Sequence, residues 1–337
     1  MKHLIRSTLL TFGISLTAGA ALAADTVLTI SSWAPPTHGM NAKLWPEFTK
    51  MLEEATEGRI SAEVKYGLGA PPAQFDLILD GVADVTWIFH GYNPGRFVAS
   101  KMIELPGYEG NAEAASVAYW RAYEKYLAEA NEHDGVKVLA MMTHGPGILH
   151  SETKLASLDD ISGMKLRLGG GVSGDVGAAL GATGIRVPAP KVYETLASKA
   201  ADGVMMPMEA RAGFKLFEVA PHSYSVPGGF YRGSFAIVMN QDKYDGLSDE
   251  DRAALDTIAG EALSQVAGRM WDEIDQIGIE TIEANEGNSW TEASESDVAT
   301  WNEMTGPIIE SVLAEVSDKG IDSATVQTFI AEQMSGN

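Results

Sequence analysis

Along most of the chain, short runs rich in β-branched and aromatic residues alternate with longer stretches whose apolar positions recur every three or four residues. The runs at 26–32, 60–66, 84–89, 136–142, 165–168, 185–187, 203–206 and 234–239 read as strands, most of them bounded by Gly, Pro, Asn or Asp. Between them, segment 41–55 sets Leu44, Trp45, Phe48, Met51 and Leu52 on one stripe ahead of Gly58, and segment 114–130 does the same with Tyr119, Trp120, Tyr123 and Leu127. Both read as helices that bury one face, and Pro46 is expected to delay or kink the first. This alternation predicts an α/β architecture with largely parallel strands.

Segment 248–286 is different in scale. It contains no proline, carries Leu255, Ile258, Leu263, Val266, Met270, Ile274 and Ile277 at helical spacing, and opens with the capping pattern Ser248-x-x-Asp251. A continuous helix there would run on the order of 50–60 Å at about 1.5 Å per residue, which outspans one domain. With no sustained heptads, it is expected to bridge two lobes, with Gly260, Gly268 and Gly278 as possible bends. Two glycine- and proline-rich stretches, Thr143-His144-Gly145-Pro146-Gly147 and Pro227-Gly228-Gly229-Phe230, each border a strand and mark paired crossings between lobes. The expected division is residues 24–146 and 234–275 in one lobe and 147–233 and 276–337 in the other.

Composition narrows the function. At 45% hydrophobic and 21% charged residues the chain is an ordinary globular protein, and 24 Lys plus Arg against 46 Asp plus Glu give a net charge of −22 that argues against nucleic acid as a partner. The absence of cysteine removes thiolate metal sites, disulfides and cysteine nucleophiles. Residues 1–23 combine Lys2 and Arg6, an apolar run from Leu9 to Leu22 and the small-x-small pattern Ala21-Leu22-Ala23, as in a secretory signal peptide. The mature chain is therefore expected in the periplasm, not embedded in the membrane, and without a cofactor of the NAD or ATP kind.

Several motifs fall short of enzyme signatures. Gly169-x-Gly171-x-x-Gly174 follows a strand and precedes a helix, but Glu194, the acidic residue at dinucleotide-fingerprint distance, lies in a helical pattern. The turn reads instead as a helix N-terminus able to approach a small anion. Ser173 lacks the last glycine of a nucleophile elbow, and the histidines show no metal-ligand spacing. In so acidic a chain, arginines are the informative residues. Arg167 ends the 165–168 strand directly before the glycine turn, where open α/β sheets bind ligands and where a guanidinium can grip a carboxylate with two parallel hydrogen bonds.

Residues 76–97, DLILDGVADVTWIFHGYNPGRF, and 157–207, beginning SLDDISGMKLRLGGG, resemble the solute receptors of the tripartite ATP-independent periplasmic (TRAP) transporters, the DctP-type family. The specific elements are Leu158-Asp159-Asp160, Gly163-Met164-Lys165-Leu166-Arg167, Leu180-Gly181-Ala182, Val192-Tyr193 and Ala201-Asp202-Gly203. The resemblance implies a hinged, two-lobed periplasmic-binding-protein fold with a long helix across both lobes, and it implies that Arg167 holds a ligand carboxylate. Where the family commonly has Gln-Glu-Asn-Pro, this chain has Val204-Met205-Met206-Pro207, and it lacks a second arginine in 143–150. Met206 cannot donate the asparagine's hydrogen bond, which points to a smaller or more apolar anion: a monocarboxylate or keto acid first, a sulfonate second.

Further pocket candidates sit at strand ends and crossings: Trp33 and His38, Trp87, His90 and Tyr92, Gly169, Arg211 with Glu209 beside it, and Phe230 with Tyr231. The expected action is capture without chemistry: open lobes admit the anion, Arg167 and the turn amides neutralise it, and closure presents it to TRAP membrane subunits. The competing readings are an exported α/β hydrolase using His90 or His38 as base, and a binding protein that feeds a sensor.

Overall fold

The computed structural model describes residues 24–336; the signal peptide expected at 1–23 lies outside them. Eleven strands are described: β1 Thr26–Ser32, β2 Ile60–Tyr66, β3 Val85–Phe89, β4 Val136–Thr143, β5 Ile148–Ser151, β6 Lys165–Leu168, β7 Thr183–Arg186, β8 Gly203–Met206, β9 His222–Ser225, β10 Ser234–Asn240 and β11 Ser289–Glu292. They form two sheets, ordered β2-β1-β3-β10-β4 and β11-β9-β5-β8-β6-β7. The body is two-lobed, one lobe around each sheet. As expected, the strands are largely parallel, with one reversed strand in each sheet. β10 runs antiparallel to β3 and β4, and β5 antiparallel to β8 and β9. The reason is topological: β5 and β10 are the strands by which the chain enters the second sheet and returns to the first.

The two crossings touch. Gly147 N–H donates to the Tyr231 carbonyl (2.8 Å) and Phe230 N–H to the Gly147 carbonyl (2.8 Å), so both expected crossing points form one hydrogen-bonded ribbon. A Cβ on Gly147 would lie 2.3 Å from the Tyr231 ring, which restricts this position to glycine.

The segment expected as one long helix is two, Asp249–Ile258 and Glu261–Ala284. Gly260 takes φ +69° and donates its N–H to the Leu139 carbonyl at 2.7 Å, while the face a Cβ would occupy lies against Trp120. The left-handed conformation breaks the helix, and the packing keeps the break in place. The remaining 24 residues span about 36 Å and still cross both lobes. The helix runs unbroken through Gly268 and Gly278. A Cβ would come within 2.6 Å of the Ala112 carbonyl at the first and 2.0 Å of the Met208 carbonyl at the second, so these are the points where the helix backbone presses on each lobe. Asp272 accepts the N–H groups of Ala112 (2.7 Å) and Glu113 (3.0 Å) at the start of helix Ala112–Lys125, and three residues on Asp275 accepts Glu209 N–H (2.7 Å) in the other lobe. One helix face therefore holds both lobes through half-buried carboxylates.

The C-terminal helix Ser323–Ser335, counted with the second lobe on sequence order, packs on helix Ala112–Lys125 beside the first sheet. Pro46 delays the α-helix as expected: a π-helical turn, Met40–Leu44, runs into it, and the α-helix Trp45–Ala55 begins with the proline in its first turn.

Candidate ligand-binding site

A cavity opens between the sheets, with about 410 Å³ of empty space that includes its open mouth. Small-ligand sites are clefts of this kind. Its walls are aromatic. From the first sheet come Trp33, Trp87, Phe89 and Phe235, from the long helix Trp271, and from the second lobe Phe214 and, at the crossing, Tyr231. Trp33 stacks on Trp87 with ring centroids 3.9 Å apart and planes 12° apart, and its indole N–H donates to the Trp87 carbonyl. Strand alternation explains which residues arrive: Trp87 and Phe89 share one face of β3, two positions apart, while Ile88 faces the other side.

The same alternation removes His90. It falls on the Ile88 face, where Nε2 meets His133 Nε2 at 2.9 Å and Nδ1 meets Ser234 Oγ at 3.1 Å inside the core. Burial, then His133, pushes its pKa well below the ordinary histidine value. Phe230, next to Tyr231 but of opposite parity, packs against Trp301 and Tyr224 instead of the cavity. Arg211 is fully buried at the far side of its helical turn, donating to Thr281 Oγ1 (3.0 Å), Ser223 Oγ (3.0 Å), the Pro221 carbonyl (3.3 Å) and Asn288 Oδ1. Trp33, His38, Trp87, Tyr92, Arg167, Gly169, Met206 and Tyr231 do line the cavity.

Arg167 is 2% exposed. Its Nε donates to the Val187 carbonyl (2.8 Å) and its Nη2 to the Tyr92 hydroxyl (3.3 Å); no carboxylate pairs with it among the described residues. Tyr92 Oη also accepts Ala189 N–H at 2.7 Å. With two N–H groups donated to that oxygen, the Tyr92 hydrogen is left for a third partner. Tyr92 comes from the first lobe, Arg167 and Ala189 from the second, so this cluster closes across the cleft.

The glycine turn does something other than expected. At the start of helix Val172–Ala179, Val172 N–H donates to Glu104 Oε2 (2.8 Å), and Glu104 Oε1 accepts from Ser234 Oγ (2.5 Å). An internal carboxylate, not a ligand, therefore caps this helix. Burial outweighs those hydrogen bonds and raises the Glu104 pKa to about 7.

Sequence reasoning passed over Phe89, His144, Phe214, Phe235 and Trp271 as site residues. The signal for Trp271 was its place on the apolar stripe of the long helix, which a core residue shares. His144 lies in the first crossing; its Nδ1–H donates to the Gly145 carbonyl (2.6 Å), and burial lowers its pKa to about 4, which keeps the ring neutral at pH 7. Glu209, 3% exposed, also faces the cavity, with Oε2 3.4 Å from His38 Nε2.

Two lobes closing on a small cavity that holds a buried, uncompensated cation define a solute-binding receptor. The chain belongs to the bacterial extracellular solute-binding proteins of family 7, whose model matches residues 30–315. A TRAP periplasmic solute-binding protein from Bordetella bronchiseptica, solved with (R)- and (S)-mandelate, is 35% identical and superimposes with a TM-score of 0.89 over 92% of this chain and 99% of that one. A marine metagenome TRAP solute-binding protein specific for aromatic acids, solved with metahydroxyphenylacetate, is 31% identical with a TM-score of 0.86 over 92% and 99%. Among curated proteins, the outer membrane transporter protein TsaT of Comamonas testosteroni is 27% identical over 94% of each chain. No helix among the described residues is long and apolar enough to cross a membrane.

Proposed function

We propose that this protein is a periplasmic receptor that captures an aromatic monocarboxylate between its lobes and delivers it to a TRAP membrane permease. The observation that carries the reading is Arg167: a buried guanidinium without a carboxylate partner among the described residues, inside a cavity walled by tryptophan and phenylalanine. A buried charge is costly unless paired. A ligand carboxylate supplies that pair through the open edge of Arg167 and the free Tyr92 hydrogen, and the ligand's ring fits the aromatic walls by offset stacking or edge contact. The aromatic lining, poor in hydroxyl-binding groups on most of its walls, favours a single ring over a sugar acid. Relatives solved with mandelate and with metahydroxyphenylacetate support the same class, and Met206, where the family's asparagine would donate, fits an apolar ligand body.

Capture is governed by closure. Tyr92 bonds to Ala189 and Arg167 only when the lobes meet, so a ligand that neutralises Arg167 stabilises the closed form. The two lobes proposed, divided at the Gly147–Tyr231 ribbon, then move as bodies about that ribbon and the long helix.

A thermal-shift screen of the mature chain against benzoate, phenylacetate, mandelate, simple keto acids and arylsulfonates tests this. A ligand at about a hundred times its dissociation constant adds about 2.7 kcal/mol, which raises the melting temperature by several degrees. A shift with aromatic carboxylates that Arg167→Ala abolishes is the expected result. No shift with any of them, or recovery of a chemically altered acid, overturns the reading.

A further inference from the structure

Arg167 is not the only buried polar group in the cavity left incomplete. Glu209 Oε2 is buried with no hydrogen-bond partner among the described residues. His38 Nε2, 3.4 Å away, is close enough for an ionic contact but not aligned as a donor to it. The seat of this carboxylate is built. Glu209 N–H is held by Asp275 Oδ1 at 2.7 Å, and a Cβ on Gly213 would lie 2.5 Å from Glu209 Oε2, so only glycine at 213 leaves the side chain its place. The His38 ring is fixed as well, between Trp87, Phe214 and Trp271 at centroid distances of 5.9, 5.5 and 5.5 Å. Met40 N–H donates to His38 Nδ1 (3.2 Å), which places a hydrogen on Nε2, the atom facing Glu209. No hydrogen bond or ion pair among the described residues joins this pair to the Arg167–Tyr92 cluster.

We propose that His38 and Glu209 are the specificity-determining pair of the cavity and recognise a hydroxyl group, so that the preferred ligand is a hydroxylated aromatic acid. This rests on the carboxylate reading of Arg167 and adds a second point of attachment. The chemistry selects a hydroxyl over other groups. An acceptor and a donor 3.4 Å apart present complementary roles to one atom: a hydroxyl oxygen donates its hydrogen to Glu209 Oε2 and accepts the hydrogen on His38 Nε2. An ammonium group has three donors and no acceptor, and it would set N–H against N–H at His38. An acid lacking the hydroxyl leaves a buried carboxylate oxygen unpaired inside an apolar cavity, which is the arrangement by which sites discriminate most strongly.

Isothermal titration calorimetry on the wild-type mature chain with matched ligands is the test: benzoate against its 2-, 3- and 4-hydroxy derivatives, phenylacetate against mandelate and 3-hydroxyphenylacetate, and mandelate against phenylglycine. The expected result is that at least one hydroxylated member binds about 10- to 100-fold tighter than its parent, and mandelate tighter than phenylglycine. In Glu209→Leu the hydroxyl-to-parent ratio falls to within about threefold, and His38→Phe lowers it in the same direction. The wild-type ratios decide whether a hydroxyl is recognised at all, and the two variants decide whether this pair does it: a ratio that both folded variants retain overturns the assignment. Ratios within about threefold for every hydroxyl isomer, or tighter binding of phenylglycine, overturn the assignment while leaving Arg167-dependent carboxylate capture intact. If none of the acids binds, the receptor reading itself fails and this inference with it.

Discussion

Arg167 and Arg211 are both buried arginines of the second lobe, and neither has a carboxylate partner among the described residues. They differ in what their donors meet. Arg211 is surrounded by neutral oxygens from four residues that knit its helical turn to the end of the long helix and to β9. Burial lowers its pKa to about 10, still well above neutrality. Arg167 has one carbonyl and one shared tyrosine hydroxyl, and the rest of its guanidinium faces the cavity. Burial and charge alone therefore do not mark a binding residue; unspent donors at a cavity do. Four substitutions bear on this contrast.

The largest effect is expected at Arg167. Arg167→Ala should weaken aromatic acid binding about a thousandfold, near 4 kcal/mol, with little change in the melting temperature of the ligand-free chain. Calorimetry and a ligand-free melt on one preparation read both. Arg211→Ala should do the reverse: about 3 kcal/mol lost in urea unfolding, from acceptors left unpaired in the interior, with no direct loss of the ligand's carboxylate contact. Equal effects of the two on binding would erase the contrast.

Glu104 gives the next test, through pH. Its folded pKa of about 7 lies above the ordinary value of 4.5, so the folded state binds more protons across that interval. Stability then falls as pH rises from about 4.5 to about 7 and is flat above, by on the order of 2–3 kcal/mol. Glu104→Gln should flatten this slope in unfolding curves collected at successive pH values, since the amide keeps an acceptor for Val172 N–H without the ionisation. A slope that persists in the variant assigns it to another group, Asp275 first, whose pKa burial also raises. The smallest effect is expected for Tyr92→Phe, which removes one hydrogen bond to the ligand and two cross-lobe hydrogen bonds, to Arg167 and Ala189. About a tenfold loss of affinity should follow, with the ring's packing on Phe89 retained.

Much of the architecture was legible before folding was considered. Eight strand segments were recognised from their composition and boundaries, and the ones passed over, β5, β9 and β11, have four residues each and no alternation long enough to read. The crossings were marked by glycine and proline. The break at Gly260 was not decided by pattern, because a glycine within an apolar helical repeat is tolerated unless a neighbour demands the left-handed conformation, and here the Leu139 carbonyl and Trp120 do. Among site candidates, His90 lies one residue beyond β3 and Phe230 in the bend of the second crossing, and the way each points is set by packing, against His133 and Trp301, that the local sequence does not show.

What the sequence by itself determined is the periodic order of strands and helices, the two crossing points and Arg167 at a strand end before a glycine turn. These are local properties, set by side-chain shape, backbone freedom and spacing along one segment. What only the tertiary structure decided is which polar groups go unpaired. Val172's amide was open to a ligand on sequence alone and is closed by Glu104, 68 residues earlier, while Glu209 Oε2, buried beside the cavity, meets no hydrogen-bond partner among the described residues. Hydrogen-bond satisfaction is a property of the whole packed interior, so the vacancies that define a binding site emerge only when every segment has taken its place.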